Sequence, residues 1–265
     1  MKTILITGSS SGIGKVSVDY FSKRNWNVVA TMRDPKKASK FNWPSNVFVL
    51  ALDVTNLKSI QKAIKGAEKK FGNIDVLINN AGYGLFSPIE CASEKQIKDQ
   101  FETNVFGLVN VIKEVLPSMR ERNKGVIINV SSILGRITVP GTGYYAGTKY
   151  ALEAISEGLW YDLAKTRVKV KLIEPGAIKT QFASTKVIGE IPLEFYKKML
   201  EEMKNEKDFG GSTALDVAKV IYKAVTDKNK KLRYPAGKRS TTFLLLRKFL
   251  PDQVALYFIK RAYGY

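Results

Sequence analysis

Short apolar runs recur along this chain, each closing on small or polar residues and each followed by a stretch of helical period. Residues 2–7 (KTILIT), 27–32 (NVVATM), 47–52, 74–78, 126–130 and 168–173 are almost continuous in apolar side chains. Such runs lack the in–out alternation of a half-exposed strand, so they are expected to be strands buried on both faces. Between them the period becomes helical. Ile60, Ile64 and Ala67 share a face within 57–71, and Leu152, Ile155, Leu159 and Leu163 share one after Tyr145. Residues 92–122 read as one long helix with Asn104 inside it and Pro117 late, and 232–235 as a last short strand. Strand and helix alternating over short connections imply right-handed crossovers and an α/β fold with a doubly wound parallel sheet. No repeat, low-complexity linker or composition break interrupts the pattern, so residues 1–265 are expected to form a single domain.

Composition narrows the chemistry. The chain has one cysteine, Cys91, and no histidine. An internal disulfide, a histidine-ligated metal and a Ser-His-Asp or Cys-His pair are therefore excluded, and no metal site is expected. Proton transfer must fall to tyrosine, lysine or a carboxylate. The formal charge is +19, but the lysines are scattered without a recognition helix or finger pattern, so a solvated basic surface is expected rather than a nucleic-acid site. No apolar run approaches the ~18 residues of a membrane span. No charged leader with a cleavage site precedes the first strand, and a cytoplasmic location is expected.

The stretch of greatest chemical interest is 125–149, GVIINVSSILGRITVPGTGYYAGTK. A buried strand ends in Ser131-Ser132, and a Gly/Pro-rich loop leads to Tyr145, four residues before Lys149. On a helix those two side chains stack on one face. An ammonium beside a phenol favours the phenolate, lowering a reference pKa near ~10 by ~1–3 units. A serine at the strand end can hydrogen-bond a substrate oxygen. Tyr161-Lys165 and Tyr234-Lys238 repeat the interval, but neither follows such a strand, and Pro235 argues against a helix at the latter.

Glycines punctuate the first strand-to-helix connection, where Thr7-Gly8 leads through Ser10, Ser11, Gly12 and Ile13 to Gly14. Strand, glycine turn and helix together place helix-terminal N–H groups against a pyrophosphate, although the same glycines also serve a plain tight turn. The second strand ends Met32-Arg33-Asp34. An arginine there suits the 2′-phosphate of NADP(H) better than the ribose of NAD(H), the alternative being an ordinary solvated charge. The third closes on Asp53-Val54-Thr55, where Asp53 is a ligand contact or a cap for the next helix, and the fourth on Asn79-Asn80-Ala81-Gly82. The sixth ends in Pro175-Gly176-Ala177-Ile178-Lys179-Thr180.

In this order the motifs resemble the short-chain dehydrogenase/reductase family over about residues 2–180, and most of all its 17β-hydroxysteroid and retinol dehydrogenase branch. The resemblance implies a seven-stranded Rossmann domain and NAD(P)-dependent oxidoreduction of a carbonyl or alcohol, with NADP(H) preferred through Arg33 and NAD(H) as second cofactor. It assigns Tyr145 as general acid/base, Lys149 to lower its pKa and hold the nicotinamide ribose, and Ser132 rather than Ser131 to orient the carbonyl. Asn104 would distort its helix and hold a proton-relay water. Gly8, Ser10, Ser11, Gly12, Ile13, Gly14, Asp53, Val54, Asn80, Ala81, Gly82, Pro175, Gly176, Ile178 and Thr180 would line the cofactor, Asp53 at the adenine amino group.

The remainder reads less clearly. Residues 181–211, with a helix around 193–207, are expected as a substrate lid, and 240–265 as an amphipathic tail that packs on the body or a partner and helps form the substrate pocket. Interleaved basic and aromatic residues in that tail leave peripheral membrane contact as the alternative. A homodimer or homotetramer through the long helices is the family expectation. Two other functional classes stay open at this level: a non-catalytic NADP-binding sensor or scaffold, and a membrane-surface protein.

Overall fold

The computed structural model describes residues 1–179, 182, 187–188, 211–229 and 231–263. Seven parallel strands make the central sheet: β1 (Lys2–Ile6), β2 (Trp26–Met32), β3 (Val47–Ala51), β4 (Val76–Asn79), β5 (Gly125–Val130), β6 (Val168–Pro175) and β7 (Arg233–Ala236). Their spatial order is β3-β2-β1-β4-β5-β6-β7, so the chain winds outward from β1 to β3 and then crosses back to β4. This is the doubly wound seven-stranded Rossmann architecture. Beside it, Leu85–Phe86 pairs with Val187–Ile188, and Ile178–Lys179 with Ser212–Thr213.

Alternate residues of each strand enter opposite cores because side chains alternate across a pleated strand. Leu5, Val29, Leu77, Ile127 and Leu172 face one layer, where α2 (Leu57–Phe71) contributes Ile60, Ala63, Ile64 and Ala67. Ile4, Val28, Ile78, Ile128 and Ile173 face the other, against α1 (Gly12–Ser22) and a later helix, Ala214–Thr226. Two of these helix starts are capped by side chains. Asn56 accepts from the Ser59 N–H at α2, and Thr213 and Asp216 form a reciprocal box at Ala214–Thr226.

The expected long helix over 92–122 is divided by a wide turn. α3 (Glu94–Phe101) passes into a π-helical segment, Glu102–Phe106, and on into α4 (Gly107–Glu121) without leaving the helix axis region of φ and ψ. Glu102 C=O accepts from the Gly107 N–H, an i to i+5 bond. Pro117 lies inside α4. α5 (Gly143–Asp162) carries Tyr145 and Lys149, and Ala214–Thr226 becomes α6. The tail forms two short helices, α7 (Ser240–Phe249) and α8 (Asp252–Ala262), the second starting after Pro251 as expected. The expected helix at 193–207 and most of the expected lid lie outside the described residues.

Candidate active site

A cavity of about 1670 Å³ runs along the C-terminal ends of β1, β4, β5 and β6 and continues between α7 and α8. It sits where the chain reverses direction between β1 and β4, the place at which open parallel sheets bind ligands.

The β1–α1 turn forms one wall. Gly8 has φ +68° and Gly12 φ +53°, both in the region that favours glycine. A Cβ on Gly8 would sit 2.8 Å from the Ala81 Cα, and one on Gly14 would strike the Gly8 carbonyl. Asn80 closes this turn. Its Nδ2 donates to Thr7 O at 2.9 Å and to Gly8 O at 3.1 Å, and the Asn80 and Ala81 N–H groups donate to Thr7 Oγ1. The start of α1 has neither a side-chain cap nor an acidic residue in its first turn, unlike α2, α3 and α6. Its first residues, Gly12 and Ile13, line the cavity with Ser10 and Ser11, and a helix start there suits a pyrophosphate by both dipole and hydrogen bonding.

At one end the cavity is bounded by Arg33, Asp53 and Val54. Arg33 is exposed, and among the described residues no carboxylate forms an ion pair with it. Asp34 is turned to its own backbone, accepting from the Lys36 N–H at 3.1 Å. Asp53 does not cap α2, which Asn56 does. Instead its Oδ1 accepts from the Thr55 N–H and hydroxyl at 2.9 and 2.8 Å, fixing the turn at the cavity edge. Pro175, Gly176 and Ile178 line the opposite end, and Thr180 lies outside the described residues.

The side chains of Ser132, Tyr145 and Lys149 meet in the middle. The Tyr145 phenol lies against the Ser132 hydroxyl. Ser132 Oγ accepts from the Leu134 N–H at 3.1 Å and donates to Pro175 O at 3.4 Å. Ser131 Oγ, the competing hydroxyl, is buried with no hydrogen-bond partner. Lys149 Nζ donates to Val130 O at 2.9 Å and lies 5.7 Å from the Tyr145 ring centroid. One expectation is corrected here. Tyr145 is not lowered: burial pushes its phenol above the ordinary range, with the Ser132 hydroxyl acting the other way. Lys149 itself is pushed down to about 8 by burial, against the pull of Glu153 one turn on. An ammonium directed at a main-chain carbonyl, and costly to keep charged where it is, does not offset the desolvation of the phenol.

Asn104 sits in the π-helical turn. Its Oδ1 accepts from the Tyr83 N–H at 3.1 Å, and its Nδ2 donates to Tyr83 O at 2.9 Å and Thr148 Oγ1 at 3.2 Å. Both amide hydrogens are used, which leaves one Oδ1 lone pair. Two wall residues carried no sequence signal. Tyr83 lines the cavity near Arg33 and Asp99, and burial and the Asp99 charge push its phenol up. Phe86 stacks on Tyr145 with ring centroids 5.7 Å apart. The other Tyr-Lys intervals lie elsewhere: Tyr161 is exposed on the outer end of α5, and Tyr234 is buried on β7, bonded to Asp227 and Lys171.

A sheet crossover with a glycine cradle on one side and a Ser-Tyr-Lys cluster on the other defines a dinucleotide-dependent α/β oxidoreductase. The short chain dehydrogenase family model matches residues 2–190, and this chain belongs to that family of NAD(P)-dependent oxidoreductases. It is 41% identical over 232 residues to an uncharacterized oxidoreductase of Schizosaccharomyces pombe, covering 85% of this chain and 96% of that one. It is 34% identical over 267 residues to 3-ketodihydrosphingosine reductase of Bacteroides thetaiotaomicron, covering 98% and 97%. The closed form of serine dehydrogenase complexed with NADP+ superposes with a TM-score of 0.77 at 29% identity, over 88% of this chain and 94% of that one.

Proposed function

We propose that this protein is an NADP(H)-dependent reductase of apolar carbonyl compounds, reversible toward the alcohol, with Tyr145 as general acid and base. The observation that carries the reading is the single cavity that joins the uncapped start of α1 to the Ser132–Tyr145–Lys149 cluster. Gly8, Gly12 and the N–H groups of α1 would hold the pyrophosphate, and Asp53 and Val54 would border the adenine. Arg33, held by no carboxylate among the described residues, would take the 2′-phosphate, in keeping with the NADP+ of the serine dehydrogenase structure. When bound, the nicotinamide supplies the hydride to the substrate carbon or takes it up.

Ser132 and Tyr145 fix the carbonyl oxygen between two hydroxyls. In reduction the developing alkoxide takes the Tyr145 proton, and in oxidation the phenolate removes the proton of the alcohol. Lys149, anchored on Val130 O, has two further N–H donors for a ribose hydroxyl. Asn104 would hold a relay water through its remaining Oδ1 lone pair while fixing Tyr83 in the wall. Phe86, Phe182, Val139 and Ile133 make the substrate end apolar. The bacterial relative named for a long-chain keto-lipid supports the same substrate class.

The test is oxidation of NADPH against a panel of ketones and aldehydes graded in chain length. Turnover that rises with apolar length, and is faster with NADPH than with NADH, is expected. A protein that binds NADPH tightly yet turns over no member of the panel would replace this reading with the sensor or scaffold class.

A further inference from the structure

Half of the sixteen large apolar side chains exposed among the described residues lie between Phe243 and Phe258, on α7 and α8. The two helices form a hairpin with two unlike faces. Its inner face, with Leu250, Ala255 and Ile259, walls the cavity that contains Tyr145. Its outer face carries Leu245, Phe249, Val254, Leu256 and Tyr257, none of which lines the cavity, and Phe249 and Tyr257 are 74% and 60% exposed. Phe243, Leu246 and Phe258 belong to both, lining the cavity and remaining exposed at its rim. The lining of the cavity therefore runs on into the apolar outer face. Isolated exposed hydrophobics need no explanation, but a contiguous patch continuous with a pocket does.

Charge identifies the occupant. Residues 239–263 contain Arg239, Arg247, Lys248, Lys260 and Arg261 against a single carboxylate, Asp252. Arg247 already neutralises Asp252, with Nη1 to Oδ1 at 2.5 Å. Lys248 lies beside the outermost ring, its Nζ 5.4 Å from the Phe249 centroid, and Lys260 and Arg261 close the last turn of α8. A second copy of the chain is a poor cover, since a two-fold contact sets this cationic face against itself. A bilayer containing anionic lipid meets both requirements, apolar depth for the rings and negative charge for the cations. Neither helix is long enough to cross: they have 10 and 11 residues, and no described helix is long and apolar enough to span a membrane.

We propose that the α7–α8 hairpin docks this protein peripherally on anionic membranes, with the cavity mouth facing the lipid. The second half of the statement rests on the reductase reading above, and implies that substrate enters from the bilayer. The first half stands without it.

The experiment is sedimentation of the full chain with phosphatidylcholine vesicles, with and without about 30 mol% phosphatidylserine. Binding to the anionic vesicles is expected, weakened strongly between about 0.05 M and 0.5 M salt as the Debye length shrinks. Phe249→Glu with Tyr257→Glu should weaken it at least about tenfold while leaving turnover of a water-soluble carbonyl unchanged, because neither side chain lines the cavity. Lys248→Glu with Lys260→Glu removes the same binding by charge alone and leaves the apolar face intact. A parent protein that stays in the supernatant with both vesicle types would overturn the proposal. So would a Phe249→Glu/Tyr257→Glu variant that binds like the parent, or light scattering showing that this variant breaks a dimer while the parent ignores vesicles. A protein that binds vesicles but never oxidises NADPH would count against the reductase reading alone.

Discussion

Replacing Tyr145 with phenylalanine keeps the ring stacked on Phe86 and removes the hydroxyl that faces Ser132. Turnover is expected to drop by ~10²–10⁴ with NADPH binding retained, measured by single-turnover kinetics and fluorescence titration. Tyr161→Phe should leave both unchanged. Tyr234→Phe should also spare turnover but lower stability by about 1–3 kcal/mol, since its hydroxyl is bonded to the buried Lys171 ammonium and to Asp227. Near-normal turnover in Tyr145→Phe would refute the mechanism. The pH profile has a definite sign. A phenol raised by burial keeps reduction flat through neutrality, whereas oxidation needs the phenolate and should climb steadily into the alkaline range. Arg33→Ala should erase most of the preference for NADPH over NADH, about ten- to a hundredfold for a lost charge-assisted pair, as read from the two Kd values. The Ser, Tyr and Lys positions were legible because their spacing is local and their strand is buried on both faces. The direction of the Tyr145 shift was not, because spacing tells that an ammonium is near and says nothing of which carbonyl it points at.

At the scale of elements, the glycine turn was legible from its own residues, whereas a distortion at Asn104 was expected only through the family resemblance. Glycines announce themselves where a Cβ cannot fit, and Gly8 is a case in point, with φ +68° and the Ala81 Cα 2.8 Å from where its Cβ would stand. Gly8→Ala should cost NADPH affinity more than tenfold on calorimetry while β1 and α1 persist by circular dichroism, since an αL position strains any L side chain. The Glu102–Phe106 turn has no Pro or Gly within it to mark it. Its cause is tertiary: Asn104 and Gln100 both reach Tyr83, on a segment some twenty residues earlier, with Gln100 donating to the same carbonyl at 2.6 Å. Asn104→Ala takes the acceptor from the Tyr83 N–H while Gln100 still serves its C=O. We expect a loss of about 1–3 kcal/mol in denaturant unfolding, and slower turnover as the Tyr83 wall loosens.

Across the whole molecule, the least legible feature is a buried charge cluster that ties α5 to β6 and β7. Arg233 Nε donates to Glu153 Oε2 at 2.9 Å and Nη2 to Glu157 Oε2 at 2.5 Å, while the buried Glu174 lies 3.6 Å from Arg136 and 3.9 Å from Arg233. Partners some eighty residues apart leave no local pattern to read. Burial and the Glu153 charge push Glu174 up to about 7, against Arg136, Arg233 and Lys231. A carboxyl raised on folding stabilises below its ordinary value, and that contribution is lost as pH rises through about 7. The protein should therefore lose up to about 3 kcal/mol between pH 5 and pH 8 relative to Glu174→Gln, a difference that paired thermal melts at the two pH values would reveal. Lys149 and Lys171, each lowered to about 8, act oppositely and only above that pH, where the cost of burying their charge is relieved.

The wide turn also sets a rule for what insertions and deletions this chain can survive. An α-helix advances about 100° per residue, so Gln100, Asn104 and Leu108, spaced by four, would fan out over about 80° of a regular helix. The π-helical turn takes up that drift and keeps all three on the inner side, with Val111, Ile112, Val115 and Met119 following on α4. Deleting one residue from Glu102–Phe106 would restore an ordinary helix with the apolar stripe of α4 still facing the sheet layer, because the wide turn absorbs one residue, but it would remove the turn that holds Asn104 at Tyr83. A deletion within α4 itself would instead rotate everything beyond it by about 100°, so the apolar stripe depends on the length of α4 and the place of Asn104 on the turn. Loss of one residue at the turn would therefore spare the core and cost the cavity its asparagine, whereas the same loss one turn later would do the reverse.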